Sequence, residues 1–246
     1  MSVSADLVVD IGHARIKWGR VHNGLLEVGS IGHGQTESPN ALVTALDEMN
    51  CDHALLSGQS RPESVARIAD VLRQAGMQVD IMATGDRGLP VAPAYDSLGC
   101  DRWLGLQKPR LEGQDPFVVV DSGTAITVDL VDGNGRHRGG WIMAGIRAAR
   151  GGLFACAPGL DVPLPKAAEI DQPARETGAA LARGGLMLAA GGIDRAVRAA
   201  EHAVKDHVSL WLTGGNAAEL APLLERPARH EQHLVLHGLA IATQAK

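Results

Sequence analysis

A short pattern recurs along this chain at a constant offset, and it limits the possible folds more than any other feature. Setting Val8 against Val119 aligns Val9 with Val120, Asp10 with Asp121, Gly12 with Gly123 and Ala14 with Ala125. With no gap, Asn23-Gly24 then falls on Asn134-Gly135. Each copy reads as an apolar strand, an Asp-x-Gly turn, a second strand, an Asn-Gly turn and a third strand. Asn-Gly between apolar runs is a strong hairpin signal. Helical patterns lie between and after the copies, so the expectation is a duplicated α/β unit and two lobes, residues 1–112 and 113–246. Ligands of such sheets sit beyond the carboxyl ends of strands. Both Asp-x-Gly turns are therefore expected to face one cleft between the lobes.

The remaining elements follow from periodicity and punctuation. Ser38-Pro39 reads as an N-cap with proline at the first helical position, followed by Leu42, Val43, Leu46 and Met49 at helical spacing. Residues 53–59 read as a strand running into a loop, 62–74 as a helix with Val65, Ile68, Ala69 and Leu72 on one face, and 78–82 as a strand. The Gly- and Pro-rich stretch 85–98 reads as a loop, 99–108 as the start of a helix and 109–116 as a linker. Thr177 precedes a long helical stretch, 178–205, with Ile193, Val197, Ala200 and Val204 in one stripe. Gly184, Gly185, Gly191 and Gly192 interrupt it, which costs helix stability but allows close helix approach. Residues 208–212 read as a strand and 217–224 as a helix. His230, His233 and His237 have the spacing of one helical face, but the apolar run around them looks like a strand or buried segment.

Bulk properties exclude several classes. The net charge is -5 and no basic run occurs, which argues against a nucleic-acid partner. Three widely spaced cysteines, Cys51, Cys100 and Cys156, form neither a disulfide framework nor a zinc pattern; they read as buried or half-buried thiols of a reducing compartment. Asp6 and Asp10 interrupt what a signal peptide would keep apolar, and no apolar run is long enough to span a bilayer. A cytoplasmic protein with no membrane contact is expected.

Four segments carry chemistry. In Asp10-Ile11-Gly12 a carboxylate at a strand end suits a hydrated magnesium ion, which takes few protein ligands and keeps waters and phosphate oxygens. Gly12 lets phosphate approach without a Cβ, and Lys17 on the next strand offers a point charge. The same residues also suit an ordinary turn. Asp121-Ser122-Gly123-Thr124 is richer: its N–H groups and hydroxyls suit an anion-binding concavity. Thr213-Gly214-Gly215-Asn216 lies where a strand meets a helix, a place for close backbone approach to a ligand. No GxxxxGK[ST] run occurs, which disfavours a Walker-type ATPase. In Gly99-Cys100-Asp101-Arg102-Trp103, Asp101 can take the proton of an alcohol and Arg102 offers a planar fork for a carboxylate. The alternative is that Asp101 caps a helix and Arg102 is solvated.

Together with Gly139-Gly140-Trp141-Ile142-Met143-Ala144-Gly145, these motifs resemble the type III pantothenate kinases of the actin-like, sugar-kinase and Hsp70 ATPase superfamily. The resemblance spans Asp10 to Gly215. It implies an α/β fold of two duplicated ribonuclease-H-like (actin-like ATPase) lobes with a cleft between them. It implies ATP-dependent phosphorylation of pantothenate to 4'-phosphopantothenate, the first step of coenzyme A biosynthesis, by a cytoplasmic homodimer using Mg2+ and a monovalent cation, K+ or NH4+. By the same resemblance Asp101 is the general base. Tyr95, Gly99, Cys100, Asp101, Arg102 and Thr177 bind substrate, with the Thr177 pocket completed across the dimer. Asp10, Ile11, Gly12, His13, Ala14, Arg15, Ile16, Lys17 and Thr124 bind ATP, and Asp121 lies at the metal. Three positions depart from the family pattern. His13-Ala14 replaces Asn-Thr, removing an amide and a hydroxyl from the ATP loop. Ala144 replaces Pro, and Tyr95 lies nearer Gly99 than the family's substrate-lining Tyr. A kinase for another alcohol or sugar, or a catalytically weak regulator akin to accessory factors in transcription, are the competing readings.

Overall fold

The computed structural model describes residues 5–22, 25–32, 44, 46, 51–58, 62–162 and 170–245. The Asn23-Gly24 turn, the Ser38-Pro39 helix start with Leu42, Val43 and Met49, and Gln59 lie outside these residues. Two five-stranded sheets form, one in each of two units.

The first sheet has the order β3-β2-β1-β4-β5, with β1 Leu7–Ile11, β2 Arg15–Val21, β3 Leu25–Gly32, β4 His53–Ser57 and β5 Gln78–Ile81. β1 to β3 form an antiparallel meander, while β4 and β5 run parallel to β1 and to each other. The central strands are continuous apolar runs because both faces are covered. Leu7, Val9, Ile11 and Leu56 alternate onto one core, against Val65, Ile68, Ala69 and Leu72 of α1 (Pro62–Gln74). Val8 and Leu55 point the other way, onto Leu98, Trp103, Leu104, Leu236, Leu239 and Ala242. Strand side chains alternate faces, so one β1 sequence serves two cores.

The second sheet repeats this plan in the order β10-β9-β6-β7-β8: β6 Phe117–Ser122, β7 Ala125–Val131, β8 His137–Ala144, β9 Ser209–Thr213 and β10 Arg229–His230. β6 pairs antiparallel with β7 and parallel with β9, as β1 does with β2 and β4. The duplication expected from the Asp-x-Gly repeat is therefore a duplication of sheet topology. Ile193, Val197 and Ala200 of the long helix Thr177–Val204 are buried against Val118, Val120, Val128 and Leu212.

Several expectations are corrected. The stretch 109–116 is not a linker throughout: α2 (Cys100–Gly105) is followed by α3 (Gln107–Glu112). Pro109 is tolerated because it sits in the first turn, where its missing N–H has no intrahelical partner to lose. The run after His233, expected as a strand or buried segment, is a buried helix, Leu234–Gln244, with Leu234, Leu236, Leu239 and Ala242 buried. That helix, with α4 Ile146–Cys156, α5 Thr177–Val204 and α6 Ala217–Leu220 before it, is α7. By contacts, the first unit comprises the described residues of Met1–Gln114 with Gly135–His137 and His233–Lys246; the second comprises Asp115–Asn134 and Arg138–Gln232. A single division between 112 and 113 thus misses the return of α7, whose Gly238 lies on the backbone of Leu104. Cys51 and Cys100 are buried but Cys156 is exposed. Of Gly184, Gly185, Gly191 and Gly192 in α5, Gly192 has a close neighbour, Met143, whereas a Cβ on any of the other three would meet nothing within 4 Å. Among the described residues no helix is long and apolar enough to cross a membrane.

Candidate active site

The first unit builds its site at the ends of β1 and β4 and the start of α2. Asp10 is 7% exposed and sits in register with Lys17 of β2 and Ser57 of β4. Ser57 Oγ donates a 3.0 Å hydrogen bond to Asp10 Oδ1. Beyond Ile11 the Gly12 N–H donates to the Arg15 carbonyl at 3.1 Å, closing a narrow turn with His13 and Ala14 exposed at its tip. Arg15 turns toward β3, donating to Ser30 Oγ at 2.5 Å. Ile11 and Ile16 are buried in the core, so only their backbone is available to a ligand. Lys17 is half-buried.

Asp101 stands in the first turn of α2, exposed, with Oδ1 accepting the Arg102 backbone N–H at 2.9 Å. Gly99 precedes the helix, and a Cβ there would lie 2.6 Å from Asp101 Oδ1. Glycine at this position therefore keeps room beside the carboxylate. Arg102 Nη1 donates to the Tyr95 hydroxyl at 3.2 Å. Tyr95 lies on the loop after β5, which two buried side chains pin to the helices. Trp103 Nε1 donates to the Val91 carbonyl at 2.6 Å, and the Val91 N–H donates to Gln107 Oε1 at 3.0 Å. Thr84 Oγ1 adds a 2.7 Å bond to the Leu98 carbonyl. The loop is thus fixed at three points, and Tyr95 reaches Arg102 despite its unusual distance from Gly99 in sequence. The buried Cys100 thiol is pushed up to about 12, first by burial and then by the charges of Asp101, Asp10 and Asp86. It is a neutral thiol at physiological pH.

In the second unit Asp121 pairs in register with Thr127 and Thr213. The turn after it is tied down more fully than the sequence suggests. The Gly123 N–H donates to the Ala125 carbonyl at 2.9 Å, so it closes the turn rather than facing outward. Ser122 is fully buried and its hydroxyl has no hydrogen-bond partner, so it is not an exposed donor. Thr124 is exposed. The Asn216 N–H and Nδ2 donate to the Ser122 and Gly123 carbonyls at 3.0 and 3.4 Å, and the Gly145 N–H to the Thr124 carbonyl at 3.1 Å. Gly214, at φ 96°, leaves space that a Cβ would take from Asp121 Oδ1 and the Ser122 carbonyl. Thr177 is exposed at the first turn of α5.

The donors at both turns are oxygens: the Asp10 carboxylate with the Ser57 hydroxyl, and the Asp121 carboxylate beside the Ser122 carbonyl. Such hard donors fit Mg2+ and alkali cations, whose ligands are carboxylates, carbonyls and water. Among the described residues no group of three or more His, Cys, Asp or Glu could hold a metal ion. An ion shared with phosphates and water needs only one or two carboxylates. Ser57 and Gln107 were not singled out by sequence reasoning, and Asn216 only as the last residue of the Thr213–Asn216 motif. Only Ser57-Gly58 at the end of an apolar strand carried a local signal, the same hydroxyl-glycine step as Thr213-Gly214.

The family model of type III pantothenate kinase matches residues 6–199. The chain is 32% identical over 245 residues to the type III pantothenate kinase of Nitrosococcus oceani, covering 95% of this chain and 92% of that protein. It is also 32% identical to the one of Azotobacter vinelandii, covering 95% and 96%. Among solved structures, a Campylobacter jejuni protein described as of the Baf transcriptional activator family superposes with a TM-score of 0.65 at 20% identity, over 97% of both chains. A ROK family glucokinase from Streptomyces griseus, in complex with glucose and AMPPNP, gives 0.53 at 14% identity over 98% of both. At these identities the two structures bear on the fold alone.

Proposed function

The chain belongs to the type III pantothenate kinase family, and on that premise we propose that it transfers the γ-phosphoryl group of ATP to the hydroxyl of pantothenate with Asp101 as general base. The observation that carries this reading is the exposed Asp101 carboxylate in the first turn of α2 beside the Arg102–Tyr95 pair, in the unit that also holds the buried Asp10. Phosphoryl transfer passes through a loose transition state, so the protein contributes mainly position and charge. Asp101 accepts a hydrogen bond from the acceptor alcohol and takes its proton as the new P–O bond forms. The Arg102 fork, oriented by Tyr95, binds the pantothenate carboxylate. Gly99, Cys100 and Thr177 complete the substrate contacts. The 10–17 turn and the Thr124 hydroxyl bind the ATP phosphates, with Asp10 beside the metal. Mg2+ held near Asp10 through water would neutralise phosphate charge, and a K+ or NH4+ ion at Asp121 would add a second positive centre.

We further propose a homodimer. Trp141, Ile142, Leu153, Met187 and Leu188 of the second unit are exposed large apolar side chains, and the helix Ile146–Cys156 buries none of its residues within the chain. Exposed apolar side chains in that number suit a protein partner. The reaction belongs to the cytoplasm, where ATP is supplied and the three thiols stay reduced.

A coupled ADP-release assay with pantothenate, Mg2+ and K+ or NH4+ tests the assignment. Turnover by the wild-type protein is expected. Asp101→Asn, which keeps shape but removes the base, should lower kcat by about 10²- to 10⁴-fold with an unchanged melting temperature. Absence of turnover at millimolar ATP, or a faster reaction with a sugar or another alcohol, would refute the substrate reading.

A further inference from the structure

We infer that Ser57 is a positioning residue for Asp10, fixing the rotation of its carboxylate in the first phosphate turn; the inference rests on reading Asp10 as the carboxylate beside the metal-bound phosphates. Ser57 is fully buried at the end of β4, and its hydroxyl donates to Asp10 Oδ1 at 3.0 Å. The two residues are in-register neighbours on parallel strands, so their side chains leave the sheet on the same face. The terminal torsion of an Asp side chain is broad and two-fold when nothing holds it. A short hydroxyl on the adjoining strand, with one rotatable bond, removes that freedom.

The backbone makes the arrangement rigid. Gly58, at φ 152°, follows immediately, and a Cβ there would lie 2.8 Å from Ile11 Cβ and 2.9 Å from Val65 Cγ2. The chain leaves β4 pressed against the residue that follows Asp10, so Ser57 cannot drift from the carboxylate. Packing alone would favour an apolar residue here, since burying a hydroxyl costs free energy unless it is bonded. The second unit repeats the placement: Thr213 is the buried in-register neighbour of Asp121, and Gly214 follows at φ 96° against that carboxylate. Two copies that share little else at these positions both keep a hydroxyl followed by a positive-φ glycine beside the acid. A general packing requirement does not account for that.

The test compares Ser57→Ala, Ser57→Cys and Ser57→Thr with Asp10→Asn and the Asp10→Asn/Ser57→Ala double variant. Binding of the Mg2+ complex of a non-hydrolysable imido analogue of ATP is measured by titration calorimetry, beside KM for ATP and for pantothenate. Loss of a hydrogen bond to a charged group should weaken analogue binding and raise the KM for ATP by about tenfold in Ser57→Ala and Ser57→Cys, leaving the KM for pantothenate unchanged. Ser57→Thr, which keeps the donor, should restore both, and on the Asp10→Asn background Ser57→Ala should add nothing. Should Ser57→Ala fail to fold, the nearly isosteric Cys variant carries the comparison. Normal nucleotide binding in the Ala and Cys variants, with Asp10→Asn impaired, would overturn the role of Ser57 and leave that of Asp10 standing. Wild-type behaviour of Asp10→Asn would overturn both. A parallel loss for ATP and pantothenate with a lowered melting temperature would reduce Ser57 to a structural residue and also overturn the inference.

Discussion

Gly238→Ala separates helix propensity from packing in one substitution. Gly238 lies inside the helix Leu234–Gln244, where alanine is intrinsically better by about 1 kcal/mol. Its Cα, however, rests on the backbone of Leu104 at the end of α2. A Cβ would lie 2.7 Å from Leu104 C and 2.9 Å from Leu104 Cα, with the carbonyl oxygen nearer still. Carbon contacts are optimal at about 3.5–4.0 Å, so the two helices must separate by roughly 1 Å. The obstacle is backbone and cannot rotate away. Overpacking of this kind costs about 1–3 kcal/mol, which outweighs the propensity gain. Gly185→Ala in α5 is the control, because a Cβ there meets nothing within 4 Å and only the propensity gain remains. The two variants should differ by about 1–3 kcal/mol, or roughly 2–12 °C in melting temperature for a chain of this size, by scanning calorimetry. Asp101 stands in the first turn of the displaced helix, so kcat/KM in the coupled assay should also fall, by about tenfold to a hundredfold for a shift near 1 Å. Equal stabilisation by both substitutions would refute the reasoning, as would a destabilised Gly238→Ala with unaltered kinetics.

Thiol reactivity should divide the cysteines. Burial raises both Cys51 and Cys100, the latter to about 12, while Cys156 is exposed. At pH 8 only roughly one Cys100 in ten thousand is thiolate, so a native thiol titration should find one fast-reacting group and denaturant should release two more; rapid native modification of Cys100 would contradict the burial argument. In the first phosphate turn, His13→Asn with Ala14→Thr adds an amide and a hydroxyl at two exposed positions. Two further neutral hydrogen bonds to phosphate should lower the KM for ATP by about tenfold without moving that for pantothenate; an unchanged KM would mean that these side chains face away from the nucleotide.

The duplicated sheet was legible because a strand–turn–strand unit leaves a compact signature. Asp10 and Asp121 both end the central strand of their sheets, and the turns behind them close through Gly12 and Gly123. Asp101 and Arg102 were legible because they are adjacent in sequence and follow a glycine. What escaped depends on contacts distant in sequence. Ser57 meets Asp10 only through strand pairing, which no window around either residue reveals. Gln107 looked like an ordinary helical residue but spends both ends of its amide on Val91 and Trp103. Pro109 read as a break because its place in the first turn of a helix is visible only once Leu106 is known to begin it. The segment after His233 is apolar on nearly every side, so its period could not separate a buried strand from a buried helix. Ser122 misled in the opposite sense, since a hydroxyl in a glycine-rich turn suggests a ligand yet here points into the interior.

The return of the helix Leu234–Gln244 to the first unit has a consequence for how the chain is assembled. Leu236, Leu239 and Ala242 complete the layer that covers Val8, Leu55, Trp103 and Leu104. The other unit draws its main core from residues between Val118 and Ala228, all of them made before the helix Leu234–Gln244. During translation the half synthesised first must therefore wait, with one side of its sheet uncovered, while the half synthesised second can close as soon as it leaves the ribosome. The segment that bears Asp101 is fully seated only once the helix Leu234–Gln244 has been made.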